Sequence, residues 1–528
     1  LQKTRPERQE RTLEPELDMT HCNEIRNSTK ITRREFIRTG AAAVAGLTFS
    51  STIARGEKQA TLKRPNVLWI MSDEHNPYVV GCYGDRVVQT PNIDSLAASG
   101  VRFANAYCQH PLCVPSRSAL MTGRYCFELG AWDNGSQLPE GIRTMGHHFS
   151  EAGYITGASG KMHLVGKDKH VGFKLRPLGD AGADVLWRAA EDVRKVAGAV
   201  CQPAVAGPSD DPLETFQDYQ ATQAAIRMLK ENRDRPFMFW VSYIFPHFPF
   251  VSPEIYYNRY RGRMRLPEVT REEIARLPVY LQKYREEHLW ANLTDEQILT
   301  ARAAYYGNVN FIDDEVGKLL KALDELDLTR NTIIVYTTDH GEMLGEHGLW
   351  RKNCFYEQSA RIPLIISYPP ALPKGKVVSE VVEQFNLFPT ISELCGLGTP
   401  TGISARSMVK LMRGEEKEWR DVAFSEYEAH PLQSSNRMVR THRWKYNWFE
   451  LNPPQLFDMK NDPGEIQNLA DTPEGKKVIA ELEKLVPVGW KGRPPRRKQK
   501  SPARLPGAPR AANGSADMLA QSRCDFSS

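Results

Sequence analysis

Three short apolar runs organise the chain. Pro65 to Ser72 stops at Asp73-Glu74, Phe237 to Ile244 stops at Pro246-His247, and Thr332 to Thr338 stops at Asp339-His340. Continuous apolarity, rather than alternation, predicts buried strands of a parallel sheet. Between these runs the period lengthens to that of helices. Thr90 to Gly100 has an N-cap residue, a proline in the first turn and a glycine stop. Residues 297–327 carry a longer helical pattern. Strands separated by long helical segments predict an α/β fold over 63–395, with a mostly parallel sheet flanked by helices. From 396 to 490 the elements shorten, and aromatic-rich alternation at 442–449 predicts a smaller α+β unit with an antiparallel sheet. Sites in open α/β sheets lie outside the carboxyl ends of the strands. Asp73, Glu74, His247, Asp339 and His340 are therefore expected to converge.

Charge sets the two ends apart from the body. The 528 residues include 69 Lys plus Arg and 64 Asp plus Glu, a net charge of +5. Residues 1–55 contribute +3, 491–510 contribute +8 and 511–528 contribute −1, which leaves −5 for 56–490. The basic excess belongs to the ends, so it does not argue for a nucleic-acid partner. Thr32-Arg33-Arg34-Glu35-Phe36-Ile37-Arg38 precedes a weakly apolar run, Gly40 to Phe49, and small residues up to Ala54. This order resembles a twin-arginine (Tat) export signal; an amphipathic helix with a basic flank is the alternative. The resemblance implies the Tat export machinery as a partner and a periplasmic or secreted destination. Residues 1–18 read as an upstream extension, with Met19 a candidate start. The apolar run is shorter than the about 20 residues of a membrane span, so no stable membrane anchor is expected. The Pro-, Arg- and Lys-rich stretch 491–528 is expected to be a disordered tail. Nine cysteines, an odd count, do not read as a disulfide framework.

The most informative block is Pro111-Leu112-Cys113-Val114-Pro115-Ser116-Arg117-Ser118-Ala119-Leu120-Met121-Thr122-Gly123-Arg124. A helix is expected from about Pro115-Ser116 to Gly123. Cys113 then stands at a helix N-terminus, where backbone N–H groups favour an anion, and Arg117 lies one turn on. Such a cysteine can be an activated nucleophile; taken alone, it reads more readily as a structural thiol.

This block resembles the signature of the sulfatase family. Further segments resemble the family in order: Asn66 to Glu74, Thr90 to Asp94, Gly160-Lys161-Met162-His163, Pro246-His247-Phe248-Pro249, Thr338-Asp339-His340-Gly341-Glu342, Gly348-Leu349-Trp350-Arg351-Lys352, and Leu456 to Met459 with Asp462 to Leu469. The resemblance implies an alkaline-phosphatase-like fold and a sulfuric-ester hydrolase. It implies that Cys113 is oxidised to formylglycine by a formylglycine-generating enzyme. It places Asp73, Glu74, Cys113, Asp339 and His340 around a divalent cation, Ca²⁺ by resemblance, with Mg²⁺ or Mn²⁺ as alternatives. Glu74 and His340 depart from the commoner Asp and Asn, and imidazole suits transition metals better than Ca²⁺. Arg117 is implied to hold the aldehyde hydrate. Lys161 and Lys352 are implied to bind sulfate, His163 to take a proton from the hydrate, and His247 to help protonate the leaving oxygen; the two histidine roles are exchangeable.

The resemblance implies a small-molecule or glycan sulfate ester as substrate, and a sulfated glycan is the favoured reading. Choline sulfate, aryl sulfates, and phosphonate or phosphodiester substrates are alternatives. A silent ligand-binding protein is the reading if Cys113 stays unmodified. Specificity is expected to come from 165–220 and 250–295, where no motif is found.

Overall fold

The computed structural model describes residues 64–179, 191–196, 199–429 and 434–492. The export-signal and tail readings fall outside these residues, apart from Lys491 and Gly492. The main sheet is built from β1 (Asn66–Asp73), β2 (Val101–Tyr107), β3 (Ile155–Gly160), β4 (Leu175–Leu178), β5 (Phe237–Pro246), β6 (Thr332–Thr338), β7 (Leu364–Ser367) and β8 (Lys376–Glu383). Their order across the sheet is β8-β2-β7-β6-β1-β5-β3-β4, with Arg361–Ile362 paired to the end of β2. β7 runs antiparallel to both neighbours, and the other pairs along this order are parallel. The three apolar runs are the three central strands β6, β1 and β5.

The reason those runs do not alternate is visible in the packing. Every residue of β1 and of β6 is buried. Val67, Trp69 and Met71 face one core with Met238 and Trp240 of β5. Trp69 and Trp240 are register partners and stack with ring centroids 4.7 Å apart. Leu68 and Ile70 face the other core, against α3 and α4 below. The helices are α1 (Pro91–Ser99), α2 (Cys113–Thr122), α3 (Gln217–Asn232) and α4 (Asp295–Glu325). α4 opens with a capping box between Thr294 and Gln297, and its buried residues include Phe311, Ile312 and Val316. It lies two residues upstream of the expected 297–327.

A four-stranded antiparallel sheet follows: β9 (Val422–Ala429), β10 (Ser434–Thr441), β11 (Trp444–Phe449) and β12 (Gln455–Asp458), with the helix α5 (Pro473–Leu482) after it. Buried acids join it to the main sheet. Glu383, at the end of β8, accepts from the Phe424 N–H at 3.1 Å and from the Tyr125 hydroxyl at 3.2 Å. Glu426 accepts from the Phe127 N–H at 2.7 Å and from the Trp490 indole at 2.9 Å. Lys445 is fully buried between Glu357 at 2.7 Å and Glu465 at 2.8 Å. Unlike Lys445, neither Glu383 nor Glu426 has a cation in salt-bridge range among the described residues.

Burial pushes the Glu426 carboxyl from its ordinary 4.5 up to about 8, against the two N–H donors. The folded state therefore holds this proton more tightly than the unfolded chain. Its contribution is complete below about pH 4.5 and is lost as pH rises towards 8. Glu426→Gln keeps the shape and removes the titration. Thermal denaturation followed across pH 5 to 8 is expected to show a smaller fall in Tm for Glu426→Gln than for the parent protein.

Candidate active site

Four strand ends deliver the polar groups. β1 ends in Asp73 and Glu74, β6 leads into Asp339 and His340, β3 leads into Lys161, and β5 ends beside His247. α2 begins at Cys113 itself, with Leu112 as its N-cap residue, two residues before the expected start. Pro115 is tolerated there because a first-turn N–H has no partner inside the helix. The expected convergence occurs, and Cys113, Arg117, Lys161 and Lys352 join it.

Arg117 sits at the centre, with 1% of its surface exposed. Its Nη2 donates to Asp73 Oδ2 at 2.9 Å and its Nε to Asp339 Oδ2 at 2.7 Å. Nη1 donates to the Lys161 carbonyl at 2.9 Å and to Ser242 Oγ at 3.0 Å. One guanidinium thus ties together β1, β6, β5 and the segment after β3. Lys161 Nζ lies 2.5 Å from Asp73 Oδ2. Asp73 is held well below the usual carboxylate range: burial opposes ionisation, but Lys161, His247 and Arg117 outweigh it.

Cys113 is buried, with Sγ 3.2 Å from His340 Nε2 and 3.9 Å from both Asp73 Oδ1 and Lys161 Nζ. Burial and Asp73 push its thiol up, but Lys161, Lys352 and His340 pull it down to about 5. His340 moves the other way: burial lowers its pKa, yet Asp339 and the Cys113 sulfur raise it to about 9. His340 Nδ1 lies 3.0 Å from the Gly341 carbonyl. A carbonyl only accepts, so Nδ1 carries a proton, and Nε2 is the nitrogen that faces Cys113.

A second group lies beside the first. Lys352 Nζ is 2.8 Å from Glu74 Oε2 and 3.0 Å from His247 Nε2. His247 Nδ1 donates to the Phe248 carbonyl at 2.5 Å, so Nε2 accepts from the Lys352 ammonium. Burial, then Lys352, push the His247 pKa down to about 3. Glu74 is pushed well above the carboxylate range by burial, partly offset by Lys352. The charge of the neighbouring Glu342 raises it further. Glu342 Oε1 accepts the N–H groups of Leu344 at 2.9 Å and Arg351 at 2.6 Å. His163 is half-buried two residues beyond Lys161, with a backbone φ of 51°.

Ligand atoms of Asp73, Cys113, Asp339 and His340 all lie within 4.8 Å of one another, as do those of Asp73, Glu74 and His247. The first set has the composition of a divalent cation site, and its imidazole is oriented by the Gly341 carbonyl as metal-bound histidines are.

Sequence reasoning missed Ser242 and Gln384, and gave no role to Glu342 although it stands in the segment Thr338 to Glu342. Gln384 takes the Ser116 hydroxyl at 3.1 Å and donates to the Thr338 carbonyl, while Ser116 Oγ also donates to the Asp339 carbonyl at 2.6 Å. Ser242 had a signal, being a small hydroxyl inside an apolar strand. Gln384 had none. Among the histidines without a motif, His75 bonds Tyr336 Oη at 2.8 Å and the Val79 carbonyl at 3.0 Å, which holds the turn after β1. His110 is buried with its ring edge-on to Tyr427.

The family profile described as Sulfatase matches residues 65–397, which include every site residue named above. The chain belongs to the sulfatase family. A second profile, N-sulphoglucosamine sulphohydrolase, C-terminal, matches 345–488. The sulfatase chain is 32% identical over 436 residues to the choline-sulfatase of Rhizobium meliloti, covering 79% of this chain and 84% of that one. The phosphonate monoester hydrolase of Agrobacterium radiobacter superposes with a TM-score of 0.70 at 26% identity, covering 80% of this chain and 95% of that one. A structure solved with its substrate D-glucosamine-2-N,6-O-disulfate gives a TM-score of 0.65 at 25% identity, covering 80% and 97%. The protein is a sulfuric ester hydrolase with the α/β sulfatase fold. No helix among the described residues is long and apolar enough to cross a membrane.

Removing the central cation of this sulfatase site leaves two buried carboxylates without it. Arg117→Ala is expected to lower unfolding stability by ~3–5 kcal/mol in urea titration and to abolish sulfate-ester hydrolysis.

Proposed function

We propose that this sulfatase cleaves a sulfate ester on a sulfated glycan through a formylglycine made from Cys113. The observation that carries the reading is Cys113 at the start of α2, within reach of Lys161, His340 and Asp73. Hydrated, that aldehyde would supply two hydroxyls at residue 113, one as the nucleophile towards sulfur, with the substrate alcohol as leaving group, and one whose proton loss would release sulfate. A divalent cation, Ca²⁺ or alternatively Mg²⁺ or Mn²⁺, would be held by Asp73, Asp339, His340 and the residue at 113, with Glu74 at its edge, and would offset sulfate charge.

The chain's own groups do the rest. Arg117 fixes both ligand carboxylates and stabilises negative charge at residue 113. Lys161 and Lys352 bind the peripheral sulfate oxygens. Lys352 and His247 form the pair that protonates the leaving oxygen, and Lys352 is its proton-bearing member because His247 Nε2 accepts from it. His163 takes the proton of the second hydroxyl. Cys113 is oxidised, and the chain folded, before export by the twin-arginine route to the periplasm or medium. The catalytic unit is read as 63–395 and the smaller unit as 396–490.

The glycan reading draws on the likeness to the structure bound to a sulfated glucosamine. Choline sulfate is the competing small substrate, from the Rhizobium relative. A phosphonate or phosphodiester hydrolase is the second reading, supported by the Agrobacterium neighbour. Rates on sulfated glycans, choline sulfate, 4-nitrophenyl sulfate and 4-nitrophenyl phosphodiesters separate these. The sulfated glycans are expected to give the highest kcat/KM, and dominant diesterase activity would defeat the sulfatase reading. Asp339→Ala is expected to lose bound metal, by elemental analysis, together with turnover. Full metal content in that variant would show the ligand assignment to be wrong.

A further inference from the structure

Arg351 directly precedes Lys352 and differs from the other cations near Cys113. Arg117, Lys161 and Lys352 each lie within ion-pair distance of a carboxylate. Arg351 has no such partner among the described residues. Its Nη1 donates at 3.0 Å to His288 Nε2, and its buried Nε–H has no hydrogen-bond partner. His288 is fixed as an acceptor because its Nδ1–H donates to the Tyr284 carbonyl at 2.9 Å. The charge on Arg351 is therefore held in place by a neutral group and left uncancelled.

Its position is next to the reacting groups. The guanidinium carbon lies 4.2 Å from the centroid of the Phe248 ring, which also receives the Lys352 ammonium at 4.5 Å. The His247 imidazole packs on the same ring, with centroids 4.0 Å apart. The Arg351 N–H is anchored on Glu342, and the residue is half-buried where Lys352 is only 5% exposed. His288 belongs to 250–295, a segment in which no catalytic motif was found. A planar fork over an aromatic face loses little freedom on binding an oxyanion and matches carboxylate or sulfate oxygens.

We propose that Arg351, positioned by His288, is a specificity-determining residue that binds a second anionic group, a carboxylate or a further sulfate, on the same substrate molecule as the scissile sulfate ester. This rests on the sulfated-glycan reading. A purely structural role, bracing His288, would leave substrate preference unchanged.

The test measures kcat and KM for the full, matured enzyme and for Arg351→Gln and Arg351→Lys. The substrates are three matched disaccharides carrying the same sulfate ester: one with a neutral neighbour, one with a uronate and one with a second sulfate. Arg351→Gln is expected to reduce the preference for an acidic over the neutral substrate by roughly 10- to 100-fold, mainly through KM. Arg351→Lys is expected to recover part of it. The arm that responds identifies carboxylate or sulfate. An unchanged acidic-to-neutral ratio, or an equal loss on all three substrates, overturns the inference. If the parent enzyme hydrolyses choline sulfate or 4-nitrophenyl sulfate but none of the disaccharides, the glycan reading fails first.

Discussion

The site depends on one buried guanidinium shared between two carboxylates. Asp73 and Asp339 come from adjacent parallel strands, and their ends would repel each other in a dry interior. Arg117 offsets that repulsion with a charged hydrogen bond to each. It comes from α2, so the same contact fixes where Cys113 lies relative to the strand ends. A buried ion pair is weak evidence of stability but strong evidence of geometry, because a lost partner leaves an unpaired charge. Here the geometry sets Cys113, Lys161 and His340 against the same pair of carboxylates.

Charge is arranged in two linked groups around that pivot. One contains Cys113, His340, Asp73, Asp339 and Lys161; the other contains Glu74, His247 and Lys352. Asp73 belongs to both sets of potential ligands. The body at 56–490 is net negative, yet Arg117, Lys161 and Lys352 gather on the carboxylates around Cys113. Recognition of the anion is therefore local. Overall charge carries none of it, and the basic ends of the chain lie outside the described residues.

Much of this was legible in the sequence, for identifiable reasons. β1, β5 and β6 are buried on both faces, so their apolar runs and the polar residues closing them stood out. β3 did not: Ile155 to Gly160 is made of small residues because Gly157 and Gly160 pass close to the Phe239 ring and the Ser242 carbonyl. Lys161 was found through its motif rather than through its strand. β7, the antiparallel strand, is only four residues long and gave no periodic signal. Ser242 showed only as a hydroxyl inside an apolar strand, and Gln384 not at all, because their partners Arg117, Ser116 and Thr338 are distant in sequence. Arg351 was within a quoted motif, but only its neutral surroundings in three dimensions set it apart from an ordinary surface charge.

The claim on which the account turns is that residue 113 is an aldehyde in the working enzyme. Peptide mass spectrometry of the Cys113 segment, on active protein from a host that matures such enzymes, tests it directly. Formylglycine is expected at 113, in a fraction that tracks specific activity across preparations. A reduced Cys113 thiol in fully active protein would contradict it.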